Sequence, residues 1–274
     1  MAERLGIIAG GGDLPRQVVE SCRQGRRPYF VVALEGQGAE AWLTPDMPHM
    51  MSRMGAAGAI LDRLRAEGVT HIVMAGGVRR PSLTDLRPDW RAAQFFARLG
   101  LKALGDDGLL RAIAALLEEE GFQVMGIQGL VADLLTPAGV LTRVAPDAAG
   151  HADIAHGLIV ARALGAMDVG QAVVIQGGLV LGVEAIEGTD ALIARCAGLK
   201  RAGTGPVLVK CAKPGQDRRL DLPTIGPDTV AAAIAGGFSG IAAEAGGTLF
   251  PGRPAALAAA DMAGLWVAGV EAGP

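Results

Sequence analysis

The chain has 274 residues, half of them apolar, with 25 Lys and Arg against 28 Asp and Glu and a formal net charge of −3. That balance sets aside a dedicated nucleic-acid binder, which carries a basic excess, and six Phe, three Trp and one Tyr leave little for base stacking. No run of about 18 apolar residues passes without a charge or turn signal, so no membrane-spanning helix is expected.

The first half alternates strand-like and helix-like runs. Residues 5–9 form a short apolar strand that ends in Gly10-Gly11-Gly12. A helix is expected over 13–23, with Asp13 as its cap and Pro15 in the first turn. Residues 29–34 read as the second strand, and 56–67 as a helix carrying Ile60, Leu61 and Leu64 at helical spacing. A strand over 71–75 runs into Gly76-Gly77. A helix over 107–119 presents Leu109, Leu110, Ile113 and Leu117 on one side, and a strand follows over 122–127. Apolar strands joined by crossover helices imply a parallel sheet covered on both faces.

Around 134–150 the pattern lapses into small residues and prolines, which read as a linker. Beyond it come a helix over 151–164 and two strands, 172–176 and 179–185, which meet at Gly177-Gly178 as a hairpin. Short strands at 207–210, 240–243 and 265–270 complete the chain. The expected architecture is α/β: a Rossmann-like parallel-sheet domain over 1–135, a linker over 136–147, and a second α/β domain over 148–274. Cys22, Cys196 and Cys211 are widely spaced, with no CxxC pair, so reduced thiols are expected rather than zinc or disulfides. The N-terminus lacks a signal-peptide layout, and a cytoplasmic protein is expected.

Five polar stretches carry chemistry. The turn at Gly10, Gly11, Gly12 and Leu14 leads a strand into a helix, an arrangement that aims backbone N–H groups and a helix dipole at an anion. Its match to the dinucleotide fingerprint is poor, because Pro15 stands where Gly or Ala belongs, although Glu35 lies where a ribose-binding acid would. Gly76 and Gly77, followed by Arg79, form a second glycine loop at a strand end. Asp106 and Asp107 open a helix, where one can cap and the pair can hold magnesium through oxygen ligands. Glu187, Gly188, Thr189 and Asp190 bring carboxylates to another helix start. The densest polar run holds Lys210, Lys213, Gln216, Asp221 and Thr224 in an otherwise apolar neighbourhood.

These stretches, in this order, resemble the LpxI-type UDP-2,3-diacylglucosamine diphosphatases of lipid A biosynthesis. The motifs that carry the likeness are IIAGGGDLP at 7–15, AGGVRRP at 75–81, GDDGLLR at 105–111, VEAIEGTDALI at 183–193, KPGQDRRLDLPTIGPDT at 213–229 and EAGG at 244–247. The resemblance implies hydrolysis of a lipid-linked nucleotide sugar to UMP and lipid X, with magnesium or another divalent cation and with water attacking the sugar-side phosphorus. It implies that Asp221 is catalytic, that Gly10, Gly11, Gly12 and Leu14 line the nucleotide side, and that Asp106, Asp107, Asp190 and Asp221 are the metal candidates. A homodimer with at most transient membrane-surface contact is expected. Two alternatives compete: a dinucleotide-dependent oxidoreductase, and a nucleotide-sugar or lipid-binding protein without turnover.

Overall fold

The computed structural model describes residues 3–78, 87–99 and 106–271, except the side chains of 96, 98, 99, 106, 107 and 132. The chain divides into two compact units. The first holds residues 1–132 together with Asp217–Asp221, and the second holds Asp133–Gln216 and Leu222–Pro274.

The first unit runs β1 (Arg4–Ala9), α1 (Leu14–Gln24), β2 (Tyr29–Leu34), β3 (His49–Ser52), α2 (Ala57–Ala66), β4 (Val69–Ala75), α3 (Trp90–Leu99), α4 (Asp106–Glu119) and β5 (Gln123–Val124). Its strands pair in the order β3-β2-β1-β4-β5, all parallel. All six residues of β2 are buried, as its unbroken apolar run demands of a strand covered on both faces. Ile60, Leu61 and Leu64 of α2 pack with Phe30, Val32 and Ile72. Leu220, arriving from the 217–221 segment, joins the same core. The strand order reverses between β1 and β4, so both glycine loops emerge at the position where open α/β sheets bind ligands.

One local expectation changes, and one strand is added. Asp13 sits at the start of α1, but its side chain makes no capping bond; it accepts from Gln17 Nε2 at 3.0 Å instead. Strand β3, with its sequence His-Met-Met-Ser, carries no strand signal of its own. Pairing with β2, Val31 opposite His49, makes it a strand.

The second unit runs β6 (Gly139–Val140), α5 (Ala148–Ala166), β7 (Ala172–Gln176), β8 (Leu179–Val183), α6 (Thr189–Ala197), β9 (Val207–Lys210), α7 (Pro227–Ala235), β10 (Gly240–Glu244), α8 (Arg253–Ala263) and β11 (Trp266–Val270). The sheet order is β6-β11-β10-β9-β7-β8, with β9, β10 and β11 parallel and the outer strands antiparallel. The stretch read as a linker, 136–147, thus supplies an edge strand, β6, paired antiparallel to β11. Two residues are too few to show a period in the sequence. The β7–β8 hairpin turns through Gly177 and Gly178 at φ 59° and 77°, the left-handed pair a two-residue hairpin needs. Buried Asp153 accepts both turn amides, at 2.9 and 2.7 Å.

All three cysteines are free and buried. Burial, with Glu244 adding repulsion, pushes the Cys211 thiol up to about 11. At pH 8 about one molecule in a thousand then carries that thiolate, the reactive form. The native protein should therefore leave Cys211 unlabelled by iodoacetamide at pH 8, with labelling complete in denaturant; rapid native labelling would refute the buried placement. Because the folded value is raised, the neutral thiol stabilises the fold below about pH 9, and that contribution fades as pH rises through about 11.

Candidate active site

The second unit holds a cavity of about 270 Å³ lined by Glu187, Gly188, Thr189, Asp190, Thr224 and Thr229. Two helix starts build it. The chain leaves β8 and turns at Gly188, whose φ of 80° favours glycine, into α6 at Thr189. Helix α7 begins at Pro227 after Gly226, and Thr229 in its first turn accepts the Gly226 N–H at 3.3 Å. That bond leaves the Thr229 hydroxyl proton to serve another acceptor. The first-turn amides of both helices have no partner within their own helix, and each dipole is positive at this end. Both features favour negative charge at these two helix starts.

Between the two helix starts, residues 222–225 are laced to Leu249: its N–H donates to the Pro223 carbonyl at 2.8 Å and its carbonyl accepts the Ile225 N–H at 2.9 Å. Leu222, Pro223 and Ile225 are buried, which holds Thr224 at the rim. Glu187 pairs with Arg195 at 2.9 Å. Its own backbone N–H and that guanidinium hold its carboxyl below the usual carboxylate range, so it is anionic at neutral pH. The lining residues therefore bring two carboxylates, three hydroxyls and no cationic side chain. This all-oxygen donor set suits a hard divalent cation such as magnesium.

The remaining polar side chains of the second unit lie elsewhere. Lys210, the last residue of β9, is buried and donates to Thr189 Oγ1 at 2.7 Å. Lys213 is paired with Asp168 at 2.6 Å. Gln216 closes a turn on Lys213, accepting its N–H at 3.0 Å. Neither Lys213 nor Gln216 lines the cavity.

Asp221 ends the segment that packs with the first unit. Leu220 is anchored in that unit's core, and Arg219 bonds both Asp217, at 2.8 Å, and Glu118 of α4, at 2.9 Å. Arg219 holds the Asp217 carboxyl below its usual range. The Asp221 N–H donates to the Asp217 carbonyl at 3.4 Å, and its side chain is exposed. The helix signal of Glu118 and the charge of Arg219 were visible in the sequence, but not that the two meet.

The two glycine loops of the first unit grip each other. Gly10 N–H donates to the Ala75 carbonyl at 2.8 Å, and Gly11 N–H to the Gly77 carbonyl at 2.7 Å. Of the expected loop residues Gly10, Gly11, Gly12 and Leu14, the first two thus spend their amides on the second loop, and Gly12 and Leu14 lead into α1. Arg79 lies outside the described residues. Asp106 and Asp107 open α4, and their side chains lie outside them as well. Among the described residues no three His, Cys, Asp or Glu side chains cluster to hold a metal. The fold thus gathers Glu187, Gly188, Thr189, Asp190 and Thr224 of the expected residues. Thr229 was missed; its only signal was the Gly-Pro-Asp-Thr helix start.

The family model for the LpxI N-terminal domain matches residues 4–134, and that for the LpxI C-terminal domain matches residues 137–268. A similar protein, the UDP-2,3-diacylglucosamine pyrophosphatase LpxI of Caulobacter vibrioides, is 40% identical over 278 residues, covering 98% of this chain and 98% of its own.

Proposed function

The chain belongs to the LpxI family, and from that premise we propose that it is a hydrolase cleaving the diphosphate of UDP-2,3-diacylglucosamine to UMP and 2,3-diacylglucosamine 1-phosphate. The observation that carries this reading is the 40% identity to a pyrophosphatase along nearly the whole length of both chains. The cavity supports it chemically. Diphosphate cleavage needs positioning and charge neutralisation more than covalent help. The α6 and α7 starts offer fixed amides and dipoles to phosphate oxygens, and the Thr229 hydroxyl adds a donor.

Water attacks the sugar-side phosphorus in this proposal, and Asp221 orients it or takes its proton; Asp221 precedes cavity-lining Thr224 by three positions. Asp190 and Asp221, with Asp106 and Asp107 of α4, are the carboxylates proposed to hold magnesium. Bound magnesium would offset phosphate charge that Glu187 and Asp190 otherwise repel. Gly12 and Leu14 at the start of α1 are proposed to meet the nucleotide side. Among the described residues no helix is long and apolar enough to cross a membrane. We propose a cytoplasmic homodimer that meets the membrane surface only to collect its lipid substrate.

The test is to incubate the purified protein with UDP-2,3-diacylglucosamine and magnesium, and to follow phosphorus NMR. UMP and a sugar 1-phosphate should appear together. A protein that binds the substrate without releasing UMP would instead be the non-catalytic alternative. Excess EDTA should lower turnover by about 100-fold or more, with recovery on adding magnesium; undiminished turnover in EDTA would refute the metal.

A further inference from the structure

We infer that Glu184 is a positioning residue of this active site, acting through Thr189 to fix the start of α6. Glu184 follows β8 and Lys210 ends β9; they are only 6% and 5% exposed. The Thr189 hydroxyl lies between them, accepting from Lys210 Nζ at 2.7 Å and donating to Glu184 Oε1. The other carboxylate oxygen, Oε2, accepts the Gln171 N–H at 3.1 Å, so Glu184 is itself held by the backbone that leads into β7.

This arrangement has a chemical consequence. A hydroxyl has one proton, and here it goes to Glu184. Thr189 therefore lines the cavity without donating its hydroxyl to a phosphate, and what it presents there is the backbone of the first turn of α6. Lys210, expected to touch substrate, lies behind Thr189 and acts on the cavity through it. Two buried charges are a poor way to stabilise a fold, since apolar side chains of similar volume do as well or better. Their return lies in direction: a charged donor and a charged acceptor define one orientation of the hydroxyl between them, and with it the place of the helix start. Displacing a positioning element by about 1 Å can cost about 100-fold in rate.

The inference rests on the hydrolase reading above, and the experiment separates the two. Glu184→Gln keeps the shape and removes the charge; Thr189→Val removes the hydroxyl; Thr189→Ser keeps it. With UDP-2,3-diacylglucosamine and magnesium, Glu184→Gln and Thr189→Val should each lower kcat by about 10- to 100-fold, with KM within about 3-fold of wild type. Thr189→Ser should stay within about 3-fold of wild type in kcat, and the Glu184→Gln/Thr189→Val double variant should be no slower than about 2-fold below the worse single one. Wild-type kcat in Glu184→Gln, equal losses in Thr189→Ser and Thr189→Val, or fully multiplicative losses would each overturn it. Should Glu184→Gln fail to fold, the Ser and Val pair at Thr189 decides.

Hydrogen exchange supplies a readout that does not depend on the reaction. The Leu192 amide, whose bond to the Gly188 carbonyl at 3.1 Å is the first of α6, should exchange at least about 10-fold faster in Thr189→Val than in wild type, while its counterpart in α7, the Val230 amide on the Gly226 carbonyl, keeps its rate. Unchanged exchange at α6 refutes the positioning role. Absence of UMP from the wild-type protein refutes only the hydrolase reading.

Discussion

Replacing Asp221 with alanine is expected to lower turnover of UDP-2,3-diacylglucosamine by about 1000-fold, within the range that loss of a general base or water-orienting carboxylate produces. The fold should survive. Asp221 is exposed, and its neighbours anchor the segment: Leu220 in the core, and Arg219 on Asp217 and Glu118. Exposed truncations away from such anchors usually stay within about 0.5 kcal/mol. Asp221→Asn refines the result, because it keeps size and hydrogen bonding but neither binds a proton in the same range nor carries charge. Initial rates would be measured with and without magnesium, beside circular dichroism of each variant. Wild-type turnover by Asp221→Ala in a folded protein would remove Asp221 from the mechanism.

The second large effect concerns stability. Gly76→Ala should destabilise the protein by about 3 kcal/mol, the scale of a backbone clash added to a strained left-handed φ. Gly76 sits at φ 88°, and a Cβ there would lie 2.3 Å from the Gly11 carbonyl oxygen and 3.0 Å from Pro15 Cγ. Gly11 is itself held by its bridge to Gly77, which joins the two loops, so its carbonyl cannot retreat freely. Gly77→Ala is the control, since a Cβ at 77 meets nothing within 4 Å. Urea unfolding followed by far-ultraviolet circular dichroism should show an early loss of structure for Gly76→Ala and a curve near wild type for Gly77→Ala. Coincident curves for the two variants would mean that the loops are not locked as described.

That pair of glycines also shows where reading a sequence reaches its limit. Glycine at the end of a strand has two physical uses, to let a ligand approach the backbone or to let another backbone approach it. Composition is the same in both. Only the partner across the gap separates them, and for Gly10 and Gly11 the partner is the chain itself. The buried Glu184 and Lys210 teach the same lesson differently. Each ends or follows an apolar strand, so their position at the carboxyl edge of the second sheet was legible, yet their meeting through Thr189 was not.

What the sequence determined by itself is what short-range physics controls. Unbroken apolar runs required buried strands, as in β2. Two adjacent glycines between apolar runs required the β7–β8 hairpin, and a strand-glycine-helix order required the turn after β1. The ordered set of polar motifs by itself also points to the family. The tertiary structure decided what depends on partners distant in the chain. It made His49–Ser52 a strand by pairing it with β2, drew Gly139 and Val140 of the expected linker into a sheet edge, and brought Asp217–Asp221 to the first unit with Leu220 in its core. It also set Thr229 beside Thr189 from helices begun some forty residues apart. None of these four has a period or a composition of its own, because the free energy that fixes each comes from a surface supplied elsewhere in the fold.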